Sequence, residues 1–133
     1  MVLKIPQLRG IEGLFKSVIV ETRGVAEPRT DQTPVDATLT SVGSTYETLY
    51  TVPTGKIFYL TQVIISSAGS SNNEKGIIGN SGTQIFSVAG DNSWFADISL
   101  NTPIKFTSGE TVQAKKGALD ANTFDFAIVG YTV

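Results

Sequence analysis

The sequence predicts an all-β protein, an antiparallel β-sandwich or barrel preceded by an N-terminal arm. Residues 35–133 break into short runs rich in β-branched and aromatic residues. Clusters of Gly, Pro, Ser, Asn and Asp separate these runs at regular intervals. No convincing helical pattern lies between them, so the crossover helices of a parallel sheet are not expected. Many short strands with turns between them are typical of a sandwich or barrel.

Eight strands are predicted, each bounded by turn residues. They cover about residues 45–52, 56–66, 75–80, 83–89, 93–101, 103–107, 110–116 and 122–133. A chain of 133 residues can bury a core of useful size in one domain without disulfide bonds.

Residues 1–34 are predicted to form a separate arm or docking segment. They carry five basic and four acidic residues, and the polar stretch "AEPRTDQTP" marks the boundary to a sandwich domain at 35–133. Their apolar residues recur at helical spacing but include a β-branched run, so a short amphipathic helix and an extended segment both remain open. These residues are Ile11, Leu14, Phe15, Val18 and Ile19. They are too few for a core, so we expect them to dock on a partner or to fold back on their own domain.

Alternation along the strands predicts which side chains face the core. In run 93–101, Trp94 shares a side with Ala96 and Ile98, while Phe95 and Asp97 share the other, so Trp94 is expected in the core. In "PIKFTSGETVQAKKG", the two apolar sets are expected to match across a hairpin turn, leaving the lysines in water.

Two predicted strands lack a polar side, and this is unusual for a soluble sheet. The run 56–66 carries large apolar groups on both faces, and the run 122–133 offers Phe124, Phe126 and Ile128 on one face but Val129 and Tyr131 on the other. A contiguous apolar patch usually marks an interaction surface. We therefore expect one face of each strand to fill the sandwich and the other to pack against a neighbouring subunit or the arm.

Composition excludes several function classes. The chain contains no Cys and no His, which removes disulfides, thiolate metal sites, most zinc sites and His-dependent catalytic triads. The net charge is −2 and the basic residues are scattered, so no nucleic-acid partner is expected. No run is long enough to span a membrane, and charges interrupt the N-terminus before a signal peptide could form, so synthesis in the cytoplasm without export is expected.

Three kinds of site are weighed against simpler explanations. A catalytic carboxylate pair is not expected, because most acids sit at turns where they bond locally. The loops "GDNSW" and "SNNEKG" hold oxygen ligands but lack the spacing of a calcium loop, so no metal or cofactor is expected. Aromatic residues could stack on a sugar ring, although they are also ordinary strand residues. They are Tyr46, Tyr50, Tyr59, Phe95 and Tyr131.

The stretches "YTVPTGKIFYLTQVIIS" and "PIKFTSGETVQAKKGALDANTFDFAIVGYTV" resemble small jelly-roll structural proteins of tailed bacteriophages and related viruses. These include capsid decoration (cement) proteins and tail-associated sandwiches. The resemblance spans about residues 46–133 and implies an eight-stranded jelly roll that assembles, usually as a trimer, on a virion. It implies a major capsid protein or other virion protein as partner and no enzymatic activity.

The function expected from these observations is a virion structural protein, most simply a decoration protein that stabilises the shell. The alternative is a tail-associated or receptor- or carbohydrate-binding module. The residues expected at the oligomer or partner interface are those of the arm together with apolar strand residues. They are Ile11, Leu14, Phe15, Val18, Ile19, Phe58, Leu60, Ile64, Phe95, Val129, Tyr131 and Val133.

Overall fold

The computed structural model describes residues 31–133, and these form an all-β sandwich of eight strands. The arm residues Ile11, Leu14, Phe15, Val18 and Ile19 lie outside the described residues. In chain order the strands are β1 (Thr33–Leu39), β2 (Glu47–Thr51), β3 (Phe58–Ala68), β4 (Glu74–Asn80), β5 (Thr83–Gly90), β6 (Trp94–Phe106), β7 (Thr111–Lys116) and β8 (Thr123–Thr132).

The strands form two antiparallel sheets in the jelly-roll order. One sheet is β1-β8-β3-β6 and the other is β2-β7-β4-β5. The chain crosses from one sheet to the other at every connection except β4 to β5, which gives the two interlocked Greek keys of a jelly roll. The β4–β5 hairpin closes through Ser81 and Gly82, both at positive φ, as a two-residue hairpin turn requires. The predicted fold class is confirmed.

The core lies between the sheets and is built from alternate residues of their strands. Phe58 and Leu60 of β3, Phe106 of β6, and Phe124 and Phe126 of β8 are all nearly or fully inaccessible to solvent. Trp94 packs edge-on against Phe124, with ring centroids 5.8 Å apart, so its predicted core position is confirmed.

Two of the predicted strands are a single strand in the structure. Runs 93–101 and 103–107 are one strand, β6, and the residues between Ser99 and Ile104 form a bulge opposite Thr61 of β3. Pro103 lies in this bulge, where a missing N–H costs little. Strand β1 was not predicted, although its register with β8 is continuous from Thr33 to Leu39.

The expected hairpin between β6 and β7 is also wrong. Strand β6 pairs with β3, whereas β7 pairs with β2 and β4 in the other sheet. The apolar residues of the two strands, such as Phe106 and Val112, therefore meet across the core rather than along one ladder. Glu110 fixes the corner by accepting a hydrogen bond from the backbone N–H of Thr107.

No helix in the described part of the chain is long and apolar enough to cross a lipid bilayer.

Candidate functional site: an aromatic sheet face

The candidate site is the outward surface of the sheet β1-β8-β3-β6. Burial alternates along β8, so Phe124, Phe126 and Ile128 point inward while Ala127 and Val129 point outward. The outward residues of β3 are the register partners of these residues on β8. We call this surface the aromatic face, defined by Tyr59, Ile64, Phe95, Ala127, Val129 and Tyr131.

One end of the aromatic face carries a pair of stacked tyrosines. Tyr59 and Tyr131 are directly opposite each other on β3 and β8, and their ring centroids are 5.3 Å apart. Val133 and Ile57 exchange two backbone hydrogen bonds beyond them and continue the same register. The apolar surface therefore extends past the end of β8.

The other end of the face contains a shallow depression of about 300 Å³. Ile64 and Ala127, which are opposite each other on β3 and β8, contribute to its lining. Phe95 also lines it and is 67% exposed, although its ring is large and apolar. Polar groups lie beside this apolar surface, since Thr38, Ser66 and Asp125 belong to the same lining. We call this the Phe95 depression.

Acidic side chains outnumber basic ones on the outward positions of this sheet. In the register, Asp36 pairs with Val129, Asp97 with Ile64, and Lys105 with Tyr59. Asp125 accepts a hydrogen bond from the backbone N–H of Ser41, and Asp97 accepts one from the Gln62 amide at 2.6 Å. The charged groups on these outward strand positions are thus three carboxylates and one lysine.

The outward surface of the other sheet is different in character. Its register places Thr48 beside Gln113, and Lys115 and Ser87 on either side of Ile77. Ile77 is only 4% exposed. The Lys115 ammonium covers the Tyr46 ring at 4.4 Å, where it gains a cation–π contact. The exposed apolar residue Ile85, at 36%, belongs to β5 of this sheet, whereas the aromatic face carries the far more exposed Phe95 together with Val129.

The structure places the predicted interface residues in two groups. Ile64, Phe95, Val129 and Tyr131 lie on the aromatic face, and Val133 continues it. Phe58 and Leu60 do not, because both are fully buried in the core. Their assignment to an exposed surface is wrong.

The reason for this error is a bulge at Thr61. Leu60 is opposite Gly130 and Gln62 is opposite Val129, so β3 has one more residue than β8 at this point. The Thr61 hydroxyl donates a hydrogen bond to the Val129 carbonyl at 3.1 Å. One extra residue reverses which side chains face inward, so Ile64 and Leu60 face opposite sides although they are four residues apart.

The loops considered for calcium use their oxygens to bond the backbone. Asp91 accepts a hydrogen bond from the N–H of Asn73 at 2.6 Å, and Asp120 accepts two, from the N–H groups of Lys75 and Gly117. Within residues 31–133, no group of three acidic side chains is arranged to hold a metal ion. These carboxylates shape turns, as local bonding of Asp predicts.

A buried polar pair that sequence reasoning missed joins these loops. Glu74 and Asn122 are 4% and 3% exposed. The Glu74 carboxylate accepts the N–H groups of Ala121 and Asn122 at 2.7 and 2.6 Å, and the Asn122 amide donates to the Ser67 hydroxyl. Burial acts to raise the pKa of Glu74, but these two N–H donors, the Ser71 hydroxyl and Lys116 outweigh it, so this pKa lies below its usual value. The pair is structural, since its hydrogen bonds go to its own loops.

Comparison with known proteins gives only distant likenesses. No protein-family model and no curated protein matches the chain. A structure from a study of Bacillus endospore appendages, described as disulfide-linked pili, has 15% identity and a TM-score of 0.42, covering 75% of this chain and 84% of that one.

Two further structures are similarly distant. The virus-like particle of the Macrobrachium rosenbergii extra small virus has 19% identity and a TM-score of 0.40, covering 80% of this chain and 83% of that one. Dimeric latent PorU of Porphyromonas gingivalis has 11% identity and a TM-score of 0.36, covering 77% of this chain and 10% of that one. At these values the likenesses support no conclusion about function.

Proposed function

We propose that this chain is a non-enzymatic structural subunit that assembles with other copies of itself through the aromatic face. The observation that carries the proposal is the apolar outer surface of one sheet, with Phe95 67% exposed. Apolar surface of this kind gains roughly 25 cal/mol per Å² when it is removed from water. A symmetric assembly of identical subunits is the ordinary way to cover it.

The finer proposal is that the assembly belongs to a virion, as a decoration or cement protein bound to a capsid protein. Its support is the resemblance of "YTVPTGKIFYLTQVIIS" and the C-terminal strands to jelly-roll structural proteins of tailed phages. The jelly roll is also a common fold of viral capsid domains, although a fold alone does not determine function. The same resemblance implies a trimer.

The self-association is tested by light scattering at micromolar concentration. We expect the wild-type chain to be an oligomer and Val129→Asp, on the aromatic face, to be a folded monomer. Ser87→Asp is the matched control, because Ser87 is exposed on the outer surface of the other sheet. A monomeric wild-type chain would refute the proposal, and equal effects of the two variants would refute the role of the aromatic face.

The virion assignment is tested with antibodies raised against the purified chain. Immunogold labelling of particles released by the source culture should decorate intact shells at regular positions. Labelling at tails would favour a tail-associated protein instead. Absence of label from every particle would overturn the virion assignment but leave the self-association in place.

A second candidate is a carbohydrate-binding module centred on the Phe95 depression. The specific observation is an exposed aromatic ring beside the hydroxyl groups of Thr38 and Ser66 and the carboxylate of Asp125. Aromatic faces stack on sugar rings while polar groups bond their hydroxyls. A glycan array with the wild-type chain and Phe95→Ala tests this, since binding that disappears in the variant would support the module and no binding at all would exclude it.

A further inference from the structure

We propose that the N-terminal segment, residues 1–30, of one copy docks in the Phe95 depression of a neighbouring copy. This inference rests on the proposed self-association and names the part of the neighbour that covers the face. Two properties support it, the apolar character of the depression and the charge around it, and the length of the segment allows it.

The depression has the chemistry of a site for an apolar peptide with basic flanks. Phe95, Ile64 and Ala127 provide apolar surface, and the aromatic ring of Phe95 is largely exposed. Asp125 lines the depression, and Asp97 is the register partner of Ile64. These carboxylates favour a positively charged occupant.

The N-terminal segment has the complementary composition. Residues 1–30 contain five Lys or Arg and three Glu, which gives a net side-chain charge of +2. Its apolar residues Ile11, Leu14 and Phe15 lie between Arg9 and Lys16, and Glu12 is the one acidic residue among them. The segment therefore offers apolar side chains to the depression and basic side chains to the acidic groups near it.

The direction of β1 sets the distance that the N-terminal segment must span to reach a depression. Thr33 is opposite Thr132, near the stacked tyrosines, and β1 then runs toward Thr38 and the depression. A segment entering β1 must therefore join the sheet at the end remote from its own depression. Residues 20–30 can span about 36 Å when extended, which is enough to reach either depression, so the choice of a neighbour rests on the proposed self-association. Several exchanged segments in one oligomer would also reinforce one another.

The test uses the absence of Cys from the natural sequence. One chain carries Phe15→Cys and a second, isotopically labelled chain carries Ser66→Cys in the depression. Ser87→Cys, the same exchange on the outer surface of the other sheet, is the matched control. After the chains are mixed under mild oxidation, mass spectrometry counts mixed disulfides, and because each chain has one Cys, these can only join two copies.

We expect the pair with Ser66→Cys to form mixed disulfides at least tenfold faster than the pair with Ser87→Cys. Equal rates would overturn the inference. So would a chain carrying both Phe15→Cys and Ser66→Cys that closes only an internal disulfide, since the segment would then occupy its own depression.

A charge exchange gives an independent readout on the full chain. The double variant Asp97→Lys, Asp125→Lys should raise the dissociation constant of the oligomer at least tenfold. Adding Arg9→Glu and Lys16→Glu to it should restore most of the lost affinity between subunits. Failure of recovery overturns the charge match. If the wild-type chain is an oligomer but the variants show neither the preferential disulfides nor the recovery of affinity, only this inference is refuted. If the wild-type chain is a monomer, the proposed self-association itself is refuted.

Discussion

The Tyr59 and Tyr131 rings stack across neighbouring strands β3 and β8, with their centroids 5.3 Å apart and their planes inclined by 27°. Aromatic pairs at opposite positions contribute about 0.5–1 kcal/mol beyond the burial of each ring. A double-mutant cycle with Tyr59→Ala and Tyr131→Ala, measured by urea unfolding at one protein concentration, should give a coupling of this size. Tyr46→Ala, beside Lys115 of the other sheet, is the control and should be additive with Tyr131→Ala.

Because of the bulge at Thr61, Leu60 and Ile64 face opposite sides of the sheet. Truncating each of them to Ala should therefore lower the free energy of unfolding by different amounts. Leu60→Ala should lower the free energy of unfolding by about 2–5 kcal/mol, because it leaves a cavity in the core. Ile64→Ala should cost less than about 1 kcal/mol in the monomeric Val129→Asp background, since Ile64 faces outward. Denaturant unfolding of both variants checks this, and similar losses would contradict the reversal of facing.

Gly130 is predicted to tolerate no side chain. A Cβ at this position would lie 2.6 Å from the Phe58 ring and would also meet the Tyr59 carbonyl. Gly130→Ala should therefore lower the free energy of unfolding by at least about 1–3 kcal/mol through overpacking, because the Tyr59 carbonyl is backbone and cannot move aside as a side chain can. Gly43→Ala is the control, because its Cβ would meet only the Glu47 carboxylate at 3.4 Å. Thermal unfolding should separate the two variants clearly.

The lowered pKa of Glu74 predicts a stability that declines in acid. A carboxyl group whose pKa is lower in the folded state stabilises the protein above its unfolded pKa, and this stability is lost as the pH falls through the folded value. Glu74→Gln should lower the melting temperature at pH 7, because one backbone donor then faces an amide N–H₂. The difference from the wild type should shrink below about pH 4.

Glu110→Gln, at the other end of the sandwich, should also lower the melting temperature at pH 7. Its difference from the wild type should likewise shrink as the pH falls. The pKa of Glu110 is lowered by three hydrogen bonds, from the N–H of Thr107, the Asn80 amide and the Thr107 hydroxyl. Together they outweigh burial, which acts to raise this pKa. Melting curves from pH 3 to 7 for both variants check the prediction. A constant difference across this range would show that the carboxylate charge is not responsible.

Much of the fold could be predicted because period-two alternation is a local property. The inward set of Phe124, Phe126 and Ile128 and the outward position of Phe95 were both readable from the sequence. The order of strands in the sheets was not readable in this way, because it depends on contacts between distant residues. The expected β6–β7 hairpin failed for this reason, since both strands turn into different sheets at Ser108 and Gly109.

Strand β1 shows a signal that was present but weak. Val35, Ala37 and Leu39 alternate with polar residues and pack against the core. Pro34 is the second residue of β1, but it also ends the polar stretch "AEPRTDQTP", which is typical of a linker. An edge strand tolerates such residues because only one of its sides is paired.

The aromatic face could be predicted only in part. The two apolar sides of β3 indicate a second apolar surface, and the expected outward positions of Ile64 and Phe95 agree with the structure. The bulge at Thr61 could not be foreseen, because it arises from a mismatch in residue number between β3 and β8. The buried Glu74–Asn122 pair was equally hidden, since the two residues are 48 positions apart.

The strand order also bears on how the protein is made. β8 emerges from the ribosome after the other seven strands, yet it lies between β1 and β3 in the sheet. A nascent chain lacking β8 would have β1 and β3 without their shared partner, exposing the backbone groups that both strands use to bind it. Unpaired strand edges of this kind promote association between incomplete chains. The release of residues 123–132 from the ribosome therefore ends the interval in which this protein is most prone to aggregate.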